Sequence, residues 1–429
     1  MYDLAVIGSG WAGFNAALRA KESGLKTCLI EKSQIGGTCL NLGCIPTKTL
    51  IQSAKVYTLI KKSAVLGLEP LTPRINFLKV QERKENIIRQ LSSGMKFMLK
   101  GIDVINESAR LISPGEILAG SRKIQTKYIL IATGSTSIEL PFLKFDGKKV
   151  ISSDILLSLK EIPASLLIIG GGVIGCEFAS LFCAWGSHVT VVEKMPQLLP
   201  GEDKEVARKI EALFKKRGIE VNTNTDASGI DTKDFELVLV SAGRAPKAEG
   251  LDLEKLGIKT EKGRVIVDEY LRTNIPNIFA AGDCTGGKML AHFAAYQGCV
   301  AADNIAHPDN LRKTDDSNVP NCIFTDPEIA SIGMNEEQAR EKGIEIKVKK
   351  FDFLGSGMAR ILDETEGFIK VISDKKTDEI LGGSIVGPKA TELIAILTLA
   401  VSNHLKASQI RNTIFAHPTL SESIHETLK

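Results

Sequence analysis

The chain repeats one local pattern twice, and that repeat restricts its fold more than any other feature. Residues 2–7 (YDLAVI) form an apolar run with the character of a buried strand. Gly8-Ser9-Gly10-Trp11-Ala12-Gly13 follows, then a helical stretch over 14–23, a strand over 26–30 and Glu31. The second copy reads 166–169, Gly170-Gly171-Gly172-Val173-Ile174-Gly175, a helix over 176–185, a strand over 188–192 and Glu193. Strand, glycine turn, helix, strand and acid is the spacing of a dinucleotide-binding unit. The glycines let the backbone approach a pyrophosphate, which rests on the helix N-terminus. Gly8, Gly10, Gly13 and Glu31, with Lys32 beside it, are candidates for one adenine dinucleotide. Gly170, Gly172, Gly175 and Glu193 are candidates for a second. A carboxylate at Glu193 would repel a 2′-phosphate, which favours NAD over its phosphorylated form. Either copy alone is a weak signal. Two complete copies imply two dinucleotides, or one dinucleotide and a structural echo.

Between them lies Gly36-Gly37-Thr38-Cys39-Leu40-Asn41-Leu42-Gly43-Cys44-Ile45-Pro46-Thr47-Lys48. Two cysteines five positions apart can cycle between dithiol and disulfide only if the segment is irregular. In a regular helix they point about 140° apart. Gly43 permits the break. A helix starting near Cys44 would stabilise a thiolate there. On spacing alone, two buried structural thiols are the plainer reading. Two dinucleotide sites with a dithiol between them point instead to electron transfer.

Composition narrows the classes. At 429 residues the chain exceeds one ordinary core, so two or three domains are expected. A net charge of +3 gives no argument for nucleic acid or an anionic membrane as partner. No apolar run reaches membrane-spanning length, and the opening on a strand, MYDLAVIGSG, leads us to expect no leader segment. Of the eight cysteines, the six other than 39 and 44 are scattered, and the six histidines form no ligand cluster. No metal is expected, and a reducing cytoplasm suits this cysteine usage.

The stretch GGTCLNLGCIPTK resembles the redox-active disulfide motif of the flavin-dependent pyridine nucleotide–disulfide oxidoreductases, and its wording is most similar to the dihydrolipoamide dehydrogenase branch. The resemblance covers nearly the whole chain. It implies an α/β fold with two Rossmann-like dinucleotide-binding domains plus a C-terminal α+β dimerisation domain. The expected segments are 1–144 and 256–318 for FAD, 145–255 for NAD and 319–429 for the dimer interface. Cys39 would exchange with substrate and Cys44 would contact the flavin. Lys48 would lie by the flavin ring, paired with Glu177. Gly37, Thr38, the Ala132-Thr133-Gly134 turn, Asp283 in 278–283 (IFAAGD) and Ala291 in 289–292 (MLAH) match flavin-contacting motifs. Gly243 opens a segment similar to the family's GRxPN, toward NAD. His417-Pro418-Thr419-Leu420-Ser421-Glu422 matches the signature in which the histidine is the acid–base group, acting from the other subunit, and the glutamate orients it. Thr419 and Glu422 also form a capping box, so a helix is expected to start at Thr419.

The resemblance implies FAD and NAD as cofactors, a homodimer, and a lipoylated carrier protein of a 2-oxoacid dehydrogenase or glycine-cleavage system as partner. The activity implied is oxidation of protein-bound dihydrolipoamide with hydride passed to NAD⁺. The sequence departs at 219–236, where family members insert a three-stranded antiparallel segment and this chain has room for a small ribbon or turn. Reductases of other disulfides share this core. Mercuric reductase is disfavoured because 421–429 holds no cysteine pair, and glutathione reductase because Glu193 is present and arginines are missing around it. A flavin-binding scaffold subunit with residual diaphorase activity is the alternative outside catalysis. The intact Cys39, Cys44, His417 and Glu422 argue against it.

Overall fold

In a computed structural model, which describes residues 1–69 and 72–429, the apolar runs become buried strands of three sheets. The first contains Tyr2–Ile7 at its centre, parallel to Thr27–Ile30 on one side and Arg122–Ile131 on the other. Asp103–Ile105 extends one edge in parallel, and Ile278–Ala280 returns from far down the chain to pair with Arg122–Ile131. Ile7 registers with both Ile30 and Ile131, and Ala280 with Ile131, so four strand ends come together. In an open parallel sheet a ligand sits beyond the carboxyl ends of the strands. Glu116–Ala119 and Ala109–Ser113 add an antiparallel flank.

The second sheet is parallel throughout, in the order Glu220–Asn222, His188–Val192, Ser165–Ile169, Leu237–Val240, Val150–Ile151. The strand Ser165–Ile169 and helix Val173–Ala184 hold the second glycine turn between them. Both fingerprint helices start inside their glycine turns, at Trp11 and Val173, rather than after them at 14 and 176. The turn closes in two residues, and the rest of the motif is already helical. Over 219–236 the chain forms no ribbon. It makes the three-residue parallel strand Glu220–Asn222 and two single helical turns, Ala227–Gly229 and Thr232–Asp234. The Asp226 and Asp231 carboxylates cap these turns by accepting the Ser228 and Lys233 N–H groups.

The third sheet is antiparallel: Asn321–Ile323, Glu328–Gly333, Ile380–Gly387, Phe368–Asp374, Ile346–Asp352. Helix Ala390–Ser402 packs on it through Leu393, Ile394 and Leu397. The helix after 417 starts at Glu422, three residues later than the capping box suggests. The box bonds do form, since Thr419 N–H reaches Glu422 Oε1 and Glu422 N–H reaches Thr419 Oγ1, each at 3.3 Å. They close a turn over 419–421 because the Thr419 hydroxyl also donates to Ala416 O. Among the described residues, no helix is long and apolar enough to cross a membrane.

One apolar cluster joins the second and third sheets to the helix Cys44–Lys61. It brings Leu50 and Ala54 against Phe178 and Phe182, and Ile323 and Val386 into the same core. Ile45 of the same helix packs against the first sheet's core, with Leu4, Val6 and Leu130, so the helix that carries Cys44 is wedged where the cores of all three sheets meet. A second tie is polar. The buried Lys370 ammonium bonds Asp203 at 2.7 Å and Glu336 at 3.0 Å, while Glu202 accepts from Asn321 Nδ2 at 2.6 Å and Ser331 Oγ at 3.1 Å. These bonds pin the 202–203 turn into the third sheet.

Candidate active site

The cysteine stretch is two helices with a break. Cys39 lies in the short helix Gly37–Leu42, Gly43 departs from helical geometry at φ −144° and ψ −114°, and Cys44 is the first residue of the 18-residue helix Cys44–Lys61. Gly37 sits at φ +57°, and a side chain there would come within 2.7 Å of Gly10 Cα, so the stretch is pressed onto the first glycine turn. Both sulfurs are free thiols in this structure. The Cys39 thiol donates to Cys44. That bond, aided by the Lys48 charge, lowers the Cys44 pKa to about 7 against the burial that opposes it. The same bond, followed by burial, raises that of Cys39. Cys44 is thus the sulfur held ready as thiolate, at a helix N-terminus.

Lys48 follows Cys44 by one turn. Its ammonium bonds both Glu177 oxygens, at 2.9 and 2.8 Å, and stands 4.7 Å from the centre of the Phe324 ring. Glu177 is 3 % exposed and also accepts the Phe324 N–H at 2.9 Å. A buried carboxylate needs both partners. The three contacts draw on three separate parts of the chain.

A single cleft of ≈ 1770 Å³ runs past these groups. Of the expected residues, Gly10, Thr38, Cys39, Cys44, Lys48, Gly134, Asp283 and Ala291 line its first half, and Glu177, Gly170, Gly172, Glu193 and Gly243 its second. Gly8, Gly13, Glu31, Lys32, Gly37, Thr133 and Gly175 stand outside the lining. The Thr133 hydroxyl is buried without a hydrogen-bond partner within the protein. His417 and Glu422 bond each other, Nδ1 to Oε2 at 2.9 Å, but are not brought to the cleft of their own chain; the His417 side chain is 78 % exposed. The bond to His417 holds the Glu422 carboxyl below its usual range.

The glycine turns fit dinucleotides. A side chain at Gly13 would meet Gly8 O at 1.9 Å, and one at Gly175 would meet Gly170 O at 2.0 Å, so both positions are closed by packing. A side chain at Gly10 or Gly172 would meet nothing within 4 Å. Gly10 and Gly172 are also the N-caps of the helices Trp11–Glu22 and Val173–Ala184, and neither helix has a side-chain cap, so the first N–H groups are available to a phosphate. Each acid straps its own turn. Glu31 accepts Ser9 N–H at 2.8 Å and Ser33 N–H at 2.8 Å; Glu193 accepts Gly171 N–H at 2.6 Å and Met195 N–H at 2.7 Å.

The description "pyridine nucleotide-disulphide oxidoreductase" matches residues 2–298, and the dimerisation domain of the same family matches 319–428. The chain belongs to the pyridine nucleotide-disulphide oxidoreductases. A dihydrolipoyl dehydrogenase of Bacillus subtilis is 40 % identical over 448 aligned positions, covering 99 % of this chain and 97 % of the relative. One from Chlamydia trachomatis is also 40 % identical, covering 98 % and 95 %. Among solved structures, the HOCl-induced flavoprotein disulfide reductase RclA from Escherichia coli superposes at TM-score 0.90 with 32 % identity, covering 100 % and 99 % of the chains. LpdA from Mycobacterium tuberculosis superposes at 0.91 with 28 % identity, covering 99 % of each. As in other pyridine nucleotide-disulphide oxidoreductases, the cofactors are FAD and NAD(H).

Three contacts had no counterpart in the sequence reading. Phe324 acts through its backbone N–H, which any residue supplies. Ser135, directly after the Ala-Thr-Gly turn, bonds Asp283. His292, the last residue of MLAH, bonds Pro320 O at 2.9 Å through Nε2 and lines the cleft; burial lowers its pKa. The positions of Ser135 and His292 beside recognised motifs were the available signal.

Proposed function

We propose that this protein oxidises protein-bound dihydrolipoamide to lipoamide and reduces NAD⁺, as a cytoplasmic homodimer serving a lipoylated carrier protein. The observation that carries this reading is the Cys39–Cys44 pair, with its Lys48–Glu177 support, in one cleft with two open glycine turns. The dithiol half-reaction starts from the Cys39–Cys44 disulfide. One substrate thiolate attacks Cys39 Sγ, the bond between the cysteines breaks, and Cys44 departs as a thiolate. The second substrate sulfur then displaces Cys39, so substrate leaves as a disulfide and the protein holds the dithiol. His417 of the partner subunit takes the proton that the substrate thiol gives up, with Glu422 fixing its ring. Cys44 is the better leaving sulfur because its thiolate is the stabilised one. When bound, FAD supplies the two-electron acceptor for this dithiol and NAD⁺ the final hydride acceptor. Gly8, Gly10, Gly13, Glu31, Lys32, Gly37, Thr38, Thr133, Gly134, Asp283 and Ala291 are the groups we assign to FAD. Gly170, Gly172, Gly175, Glu193 and Gly243 are those we assign to NAD. In this reading 1–144 and 256–318 are one domain, 145–255 the second and 319–429 the third.

The test is anaerobic titration of the holoprotein with dihydrolipoamide, followed by NAD⁺, with absorption as the readout. Bleaching by dihydrolipoamide and recovery on NAD⁺ addition is the expected result. Reduction by NADH but not by dihydrolipoamide would replace lipoamide by another disulfide. No response to either reductant would favour a scaffold.

A further inference from the structure

Asp283 does not stand alone at the cleft wall. Its Oδ2 is 2.5 Å from Ser135 Oγ, and Ser135 is 9 % exposed. On the other side of that hydroxyl, Arg244 Nε lies 2.8 Å away, and an Arg244 terminal nitrogen bonds Ser135 O at 2.9 Å. A guanidinium only donates, so Ser135 Oγ accepts from Arg244 and its single proton has to point at Asp283. The direction of the chain is therefore fixed: Arg244 Nε–H to Ser135 Oγ–H to Asp283 Oδ2. Asp283 Oδ2 accepts that proton, with its second oxygen left over on a residue that lines the cleft.

The backbone keeps this chain in register. Ser135–Ser137 pairs antiparallel with Arg244–Pro246, Ile138 N–H reaches Gly243 O at 3.1 Å, and Lys247 N–H reaches Gly134 O at 2.9 Å. Arg244 follows the second-sheet strand Leu237–Val240, while Ser135 and Asp283 follow the first-sheet strands Arg122–Ile131 and Ile278–Ala280, so this two-stranded ribbon ties the ends of the two sheets together.

We propose that Arg244 and Ser135 are positioning residues that present the Asp283 carboxylate to the ribityl hydroxyls of FAD. The proposal rests on the assignment of Asp283 to FAD made above. Ser135 removes one of the carboxylate's rotational choices, and Arg244 removes the alternative orientation of the Ser135 proton. A carboxylate so fixed meets a sugar hydroxyl without first ordering itself.

The experiment measures FAD dissociation constants by flavin fluorescence, and apoprotein melting temperatures, for the wild type and five variants. These are S135A, R244M, R244K, the S135A/R244M double variant and D283N. We expect S135A and R244M each to weaken FAD binding about tenfold, as loss of one charge-assisted link does. The double variant should be no worse than either single one, and R244K should recover part of the loss, since a lysine supplies charge but not the two-pronged grip. D283N should weaken FAD at least as much. Multiplying effects in the double variant would overturn the relay. So would R244M that lowers the apoprotein melting temperature yet spares FAD affinity, which is the signature of simple bracing between the two strands. Loss of FAD in D283N with none in R244M and S135A would overturn the relay and leave the Asp283 assignment standing. Unchanged affinity in D283N would remove both.

Discussion

Cys39 and Cys44 are the same side chain five positions apart, yet the fold pushes them in opposite directions. One shared hydrogen bond does most of this, because a donor thiol resists losing the proton that its neighbour's thiolate accepts. Lys48 adds a cation on the Cys44 side. The Cys44 pKa falls from an ordinary 9.0 to about 7, so its contribution to stability is present above the ordinary value and fades as pH drops through about 7. Replacing Lys48 by Met should move the titration of reduced protein upward, toward the ordinary thiol range. Removing the cation also leaves Glu177 buried beside the sulfur with one partner fewer. Thiolate absorbance in the ultraviolet against pH checks this, and an unmoved midpoint would assign the shift to Cys39 alone. At this scale the cysteine pair was legible through the glycines, Pro46 and Lys48 around it, since its spacing alone favours two structural thiols. The Phe324 N–H on Glu177 and the Ser135 hydroxyl on Asp283 were not, because each joins positions 147 and 148 residues apart and no local pattern links them.

The two glycine turns show why some elements were readable, apart from the early start of their helices at Trp11 and Val173, and others were not. A fingerprint is local, with strand, turn and helix completed inside about thirty residues, and both turns came out where their spacing put them. Within each, the glycines divide into two physical kinds. Gly172→Ala should leave the melting temperature near that of the wild type, because its side chain meets nothing within 4 Å, while weakening NAD⁺ binding. Gly175→Ala should lower the melting temperature, by about 1–3 kcal/mol of stability or more, because its Cβ would overlap Gly170 O. Calorimetry and NAD⁺ titration on both variants separate the two, and equal melting temperatures would contradict the packing account. The helix at Glu422 was misplaced by three residues for a comparable reason. A capping box states which groups bond, and a second acceptor for the Thr419 hydroxyl decided that the bonds close a turn first.

At the scale of the molecule, His417 lies outside the cleft of its own chain, and the chain carries its family's dimerisation domain over 319–428. A site built from Cys44 of one subunit and His417 of the other makes a specific prediction. Cys44→Ser dimers should be inactive with dihydrolipoamide, and His417→Gln dimers should be slower by about two orders of magnitude or more, the usual worth of a general base. Unfolded and refolded together in equal amounts, the two should recover about a quarter of wild-type turnover, since half the dimers are mixed and each mixed dimer holds one intact site. Recovery no greater than the average of the two parents would place histidine and cysteines in the same subunit. The division into repeated units and a later α+β part was evident from the sequence. The wedge of helix Cys44–Lys61 among three sheets was not, since its apolar face carries no mark of which neighbours it meets.

The stretch after residue 218 has a consequence for how this protein behaves in a crowded solution. It leaves Glu220–Asn222 as the outermost strand of the second sheet, with Glu220 and Asn222 exposed. A bare sheet edge is a template on which a foreign chain can add another strand, and long, flat, apolar edges nucleate aggregates. This one is three residues long, flanks its single valine with polar side chains, and gives way at once to two aspartate-capped turns. An incoming strand finds too few aligned backbone groups to hold. The short, polar-flanked edge therefore resists the addition of a further strand by itself.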